Sequence, residues 1–194
     1  MKEPINIAIF ASGAGSNAEK IIQYFRHSNS IKIVLVLCNK PGARVLEIAA
    51  QNHIESLIIN KNDFFGSDYY ISLLKDRNTD LIILAGFLWK IPENLIHAFP
   101  ERIINIHPAL LPKYGGKGMY GHFVHDAVIA AHDKESGITI HLVDELYDHG
   151  RHLFQATCKV DDNDTAESLA EKIHYLEHLH FPVVIDEYIK EYFK

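Results

Sequence analysis

The sequence predicts an α/β fold: an open, doubly wound, mostly parallel sheet with helices on both faces. Three observations lead there. Short apolar runs rich in β-branched residues recur along the chain and read almost without interruption, as strands buried on both faces do. Segments with helical apolar spacing separate the first five runs, the pattern of parallel strands joined by right-handed crossovers. A glycine-rich turn, residues 12–18 (SGAGSNA), joins the first run to the first helical segment.

Residues 5–11 (INIAIFA) form the first expected strand. Residues 17–25 follow with Ala18, Ile21, Ile22 and Phe25 spaced i, i+3, i+4 and i+7, one apolar helix face. The second strand is residues 33–38 (IVLVLC). The helix of residues 43–51 opens after Pro41-Gly42 and buries Val45, Leu46, Ile48 and Ala49. Strands at 56–59 (SLII), 81–85 (LIILA) and 103–106 (IINI) alternate with helices at 68–75 and 93–99, the latter entered through Pro92.

The pattern changes after residue 107. Residues 107–121 (HPALLPKYGGKGMYG) hold two prolines and four glycines and read as a long loop, a feature that usually serves function. A helix at 122–132 and strands at 138–143 and 153–160 come next. Thr165 is the expected N-cap of the last helix, with Glu167 in its first turn. The capping box is read as incomplete, because Ser168 and not an acid stands three residues after the cap. That helix is expected to end at His180, with Pro182 interrupting and a second amphipathic stretch closing the chain. No repeat or linker divides residues 1–194, so one domain is expected.

Composition narrows the function classes. With 47% hydrophobic residues among 194, the chain is neither disordered nor, at 11 Gly and 7 Pro, collagen-like. A net charge of −6 argues against a general nucleic-acid binder. Cys38 and Cys158 lie in apolar runs and read as buried thiols in a reducing compartment. No window approaches the ~20 apolar residues of a membrane span, so a cytoplasmic protein with no membrane partner is expected. The one surplus is 13 His.

The glycine turn fits G-x-G-x-x-A, a dinucleotide signature, but the second strand ends in Cys38-Asn39-Lys40 without the acid that holds a ribose hydroxyl. GxxxxGK[ST] is absent as well. A smaller phosphate ligand suits the helix N-terminus, with Ser16 and Asn17 adding side-chain hydrogen bonds. A plain βα turn capped by Ser or Asn explains the same residues, and the motif alone does not choose. Asn105 and His107 stand two apart at a strand end, so their side chains share a face. An amide donor beside an imidazole suits carbonyl chemistry: one stabilises oxygen charge and the other moves protons. Asp148 lies in a turn-rich stretch from which a carboxylate can raise an imidazole pKa.

Taken together, SGAGSN, NIHPALLP and SGITIH followed by D-x-G, with LIILAGFLWKIP and EKIHYLEHLHFP in order, resemble the folate-dependent formyltransferases over nearly the whole chain. The resemblance implies their Rossmann-like fold. The glycine turn points to the branch that formylates glycinamide ribonucleotide in purine synthesis. The implied reaction moves the formyl group of 10-formyltetrahydrofolate to the nucleotide's amine through a tetrahedral intermediate, without a metal.

Residue by residue, the resemblance makes Asn105, His107 and Asp148 catalytic, with a cationic His107 as proton donor. Gly15, Ser16 and Asn17 would bind the ribosyl phosphate, and Glu177 would lie near the ribose. Leu88, Trp89, Lys90 and Ile91, with Asn105, would line the folate pocket. His141 would support the site, and His174 and His178 would line its substrate end. Four departures stand out, one being that residues 61–70 show no match for an arginine the family often carries between the third strand and the helix after it. Loop 113–121 is unusually glycine-rich, a lid or a variant connection. LWKI replaces a Met-Arg start, which leaves pterin contacts to backbone groups. Arg151-His152 beside Asp148 would oppose protonation of His107. Two small-molecule substrates, no nucleic acid, and a monomer or homodimer are expected. Three other readings remain: a zinc enzyme using His174 and His178, a formyltetrahydrofolate hydrolase or other user of 10-formyltetrahydrofolate, and a nucleotide-binding module without catalysis.

Overall fold

A computed structural model describes residues 3–193. The apolar runs become strands β1 (Ile5–Ala11), β2 (Ile31–Cys38), β3 (Ser56–Ile58), β4 (Leu81–Leu84), β5 (Ile103–His107), β6 (Glu135–Leu142) and β7 (His152–Lys159). They form one sheet in the order β3-β2-β1-β4-β5-β6-β7. Pairings among β1 to β5 are parallel, whereas β5–β6 and β6–β7 are antiparallel.

The period of two along β1 sends Ile7, Ile9 and Ala11 into one core and Ala8 and Phe10 into another. Helices α1 (Ser16–Phe25), α2 (Arg44–Gln51) and α7 (Ala166–Tyr192) cover the first face. On the opposite face lie α3 (Lys61–Gly66), α4 (Tyr69–Asp76) and α5 (Glu93–Ala98), and α6 (His122–Ala130) packs on α7. No helix among the described residues is long and apolar enough to cross a membrane.

Two expectations about α7 are corrected. The helix runs unbroken through Pro182, which sits inside it. An internal proline removes one backbone donor and costs about 3 kcal/mol. Here Phe181, Pro182, Val184 and Ile185 are all buried against the sheet, and that packing offsets the loss. The capping box is complete: Ser168 Oγ accepts the Thr165 N–H at 3.0 Å, and Thr165 Oγ1 accepts the Ser168 N–H at 3.2 Å. A serine thus fills the acid's place. Thr165→Ala should cost about 1 kcal/mol, read as a melting temperature lower by about 2–4 °C in a chain of this size.

Helix α3 was not expected from the sequence. It is a short turn whose first amides, Asn62 N–H and Asp63 N–H, donate to the Asn60 side chain, and it exists to bury Phe64. Cys38 is buried as anticipated, but Cys158 on the edge strand β7 is only half-buried.

The strand order changes direction between β1 and β4, β2 and β3 lying on one side of β1 and β4 and β5 on the other, and ligands of such sheets sit beyond the carboxyl ends of the strands at that point. The glycine turn leaves β1 there, residues 85–91 leave β4 beside it, and β5 ends alongside in His107.

Candidate active site

A cleft of about 560 Å³ opens at this edge of the sheet. Gly15, Ser16, Asn17, Leu88, Trp89, Lys90, Ile91, Asn105, His107, Asp148 and Glu177, drawn from five separate stretches of sequence, all line it.

At one end stands the N-terminus of α1. Gly15 has φ +74°, and a Cβ there would fall 2.7 Å from Val45 Cβ, so both conformation and packing call for glycine. The first amides of α1 have no helical acceptors and face the cleft with the dipole's positive end. Asn17 lines the cleft, and its Nδ2 donates to Glu177 Oε2 at 2.8 Å, bridging α1 to α7 and keeping a second N–H. That N–H, the Ser16 hydroxyl and the backbone are available to an anion.

Glu177 is 6% exposed, and burial pushes its carboxyl above the usual range against the opposing Asn17 hydrogen bond and nearby His174. A carboxyl with a raised folded pKa contributes stability at low pH that is lost as pH rises through that pKa. Glu177→Gln should therefore raise the melting temperature by a few degrees at about pH 8, with the gain shrinking towards about pH 4. Calorimetry of the two proteins across that window checks it.

In the middle, β5 presents Asn105 and His107. The His107 Nε2–H donates to Tyr114 O at 2.8 Å, which leaves Nδ1 facing Asp148 Oδ2 at 3.6 Å. Nδ1 is thus the nitrogen free to exchange a proton. The His141 Nδ1–H donates to Leu142 O at 2.8 Å, so its Nε2 is an acceptor for Asn105 Nδ2 at 3.1 Å. This fixes which way the Asn105 amide points and keeps its second N–H for another acceptor. Asp148 Oδ2 accepts the Gly116 N–H at 2.9 Å.

Burial lowers the His107 pKa below its ordinary value and outweighs Asp148 and the Tyr114 carbonyl, which push it up. Asp148 acts in the expected sense, but burial has the larger effect. For Asp148, burial raises the pKa, yet the His141 imidazole, the His107 charge and the Gly116 N–H together hold it below the usual carboxylate value. Arg151, expected to disturb this pair, donates to Tyr192 OH at 2.9 Å and lies over that ring.

At the far end, the Leu88 N–H donates to Ser12 Oγ at 2.9 Å, tying the β4 exit to β1. Trp89 packs on Phe64, Phe65 and Phe87, and Ile91 is 3% exposed in the second core, so both shape the wall. Leu88, Leu146 and Tyr147 stay exposed at the rim, with Lys90 Nζ 5.9 Å from the Tyr147 ring centre. His174 and His178 stack with centres 6.3 Å apart, and only His174 lines the cleft. Among the described residues, no three His, Cys, Asp or Glu side chains are grouped to hold a metal.

Sequence reasoning missed Tyr114 O and Gly116 N–H, which fasten loop 113–121 to His107 and Asp148. Both are backbone groups and leave no side-chain signature. A Cβ at Gly115 would stand 2.6 Å from Leu111 Cδ2 and 3.4 Å from Asp148 Cβ, so one glycine of the run reports how closely the loop approaches.

Comparison with known proteins agrees with this geometry. Residues 5–185 match the family model described as formyl transferase. The chain is 40% identical over 194 residues to the chloroplastic phosphoribosylglycinamide formyltransferase of Arabidopsis thaliana, covering 97% of this chain and 66% of that one. It is 36% identical over 185 residues to the phosphoribosylglycinamide formyltransferase of Bacillus subtilis, covering 93% and 92%. The crystal structure of the Bacillus halodurans phosphoribosylglycinamide formyltransferase superposes with a TM-score of 0.86 at 32% identity, covering 96% of each chain. With a family match spanning nearly every element that builds the cleft, this chain belongs to the formyl transferase family.

Proposed function

We propose that the protein transfers the formyl group of 10-formyltetrahydrofolate to the amine of glycinamide ribonucleotide, the activity of a phosphoribosylglycinamide formyltransferase. The observation that carries this reading is the convergence of Asn105, His107 and Asp148 midway along a cleft that begins at a helix N-terminus. The nucleotide's phosphate is assigned to Gly15, Ser16 and the first amides of α1, and its ribose to the neighbourhood of Glu177. The folate is assigned to residues 88–91 and the rim. The cleft volume lies within the range for small-molecule sites, and the exposed Leu88, Leu146 and Tyr147 suit a flat, largely apolar ring system.

When bound, the folate supplies the activated formyl carbon. The free Asn105 N–H meets the charge that develops on the formyl oxygen as the amine attacks. Neutral His107 takes the amine's proton at Nδ1, and Asp148 stabilises the resulting imidazolium across 3.6 Å. The same proton is then returned to the departing folate nitrogen. A carbon–nitrogen bond to the substrate forms, the one to the folate breaks, and the proton count balances. A resting neutral imidazole is the state that can accept the proton, which accords with the lowered His107 pKa.

Spectroscopic measurement of tetrahydrofolate release tests this. Release is expected only when glycinamide ribonucleotide is present. Equal release without the nucleotide would replace the transferase by a hydrolase.

A further inference from the structure

Thr139 is fully buried on β6, opposite His107 on β5 and beside Gln155 on β7. Its hydroxyl donates to Ala109 O at 2.7 Å and accepts the Leu111 N–H at 3.0 Å and Gln155 Nε2 at 2.8 Å. Gln155 Nε2 also donates to Leu111 O at 3.1 Å. A hydroxyl offers one donor and two acceptor sites, so Thr139 is saturated. Two of its three bonds, and one of Gln155's two, go to the backbone just after His107.

We propose that Thr139 and Gln155 are positioning residues, a buried bracket that clamps residues 109–111 and thereby sets the His107 ring between Tyr114 O and Asp148. The logic is one of rigidity. Loop 108–121 leaves β5 at His107 and carries Tyr114, the acceptor that orients the ring. Tyr114 sits five residues beyond Ala109, so its carbonyl is only as well placed as the stretch before it. Few other side chains hold that stretch, and a glycine run follows it. Gly137 reinforces the clamp from the same strand: a Cβ there would lie 2.0 Å from Ala156 O and 2.6 Å from Leu110 Cδ2. The Leu110 side chain therefore packs closely on β6, and the loop backbone is hydrogen-bonded to it. Neither Thr139 nor Gln155 lines the cleft, so both act through His107 and not on the substrates.

The catalytic half of this inference rests on the formyl-transfer reading; the structural half, the placement of the His107 ring, does not. The test compares Thr139→Val and Thr139→Ser with the parent. Thr139→Val keeps the shape and deletes the hydroxyl, leaving a buried N–H and C=O unpaired. It is expected to lower kcat by about 10²-fold, the scale of a misplaced catalytic group, with KM for both substrates unchanged. Thr139→Ser should restore most of the turnover. Imidazole NMR should show an altered His107 titration in Thr139→Val and a parental one in Thr139→Ser. Should Thr139→Val fail to fold, Gln155→Met, which removes two of the bonds, carries the same expectations. A folded variant of lower melting temperature with parental kcat and parental His107 titration would reduce the bracket to a structural role and overturn the proposal. If the parent shows no formyl transfer, the transferase reading fails, and the NMR comparison still decides the bracket.

Discussion

His107→Ala is expected to lower formyl-transfer turnover by about 10²–10⁴-fold, the usual worth of a positioned acid–base group. The ring is 4% exposed, with Nε2 on Tyr114 O and Nδ1 towards Asp148. His141 also approaches Asp148, its Nε2 3.7 Å from Oδ1, but the same nitrogen meets the Asn105 amide and its Nδ1 is bonded to Leu142 O. Nucleotide affinity should change little, since the phosphate is assigned to α1, at the other end of the cleft. Steady-state kinetics, with circular dichroism to confirm folding, check the outcome. A well-folded variant that turns over at the parental rate would remove His107 from the chemistry.

Gly15→Ala should be the most damaging single methyl group in the phosphate end. A left-handed conformation costs a non-glycine residue roughly 1–2 kcal/mol. The added Cβ, 2.7 Å from Val45 Cβ, overpacks the α1–α2 contact and adds about 1–3 kcal/mol. The melting temperature should fall by about 2–4 °C for each kcal/mol lost, and KM for the nucleotide should rise because the first amides of α1 are displaced. Gly13→Ala is the control. Gly13 also lines the cleft, but its φ is unstrained and no atom lies within 4 Å of the new Cβ. It should keep the parental melting temperature, so any loss of nucleotide binding there reports ligand contact and not folding.

Much of this arrangement was legible in the residues themselves. Buried strands such as LIILA and IINI announce themselves because both faces are apolar, and the glycine turn locates the crossover to α1. The pairing of Asn105 with His107 follows from the strand's period of two. What escaped was set by contacts between distant segments. Locally nothing shows that Glu177, 160 residues away, takes one N–H of Asn17. Pro182 reads as a helix end, but the core packing of its neighbours carries the helix through it. The downward push on the His107 pKa depends on how deeply the fold buries it. The carbonyl of Tyr114 and the amide of Gly116 belong to no residue type. Ser168 escaped for a different reason: a serine was not weighed as the reciprocal cap.

The histidine surplus resolves into distinct uses. In the proposed mechanism His107 exchanges the proton; His141 meets the Asn105 amide, and His125 and His174 also line the cleft.

The most direct test of formyl transfer follows the formyl carbon itself. Purified protein is given 10-formyltetrahydrofolate with an isotopically labelled formyl carbon, together with glycinamide ribonucleotide, and the products are read by carbon NMR. The label should appear as the formamide of the nucleotide, one for each tetrahydrofolate released, and should vanish from that product in His107→Ala. Label recovered as free formate, with the nucleotide unchanged, would contradict it.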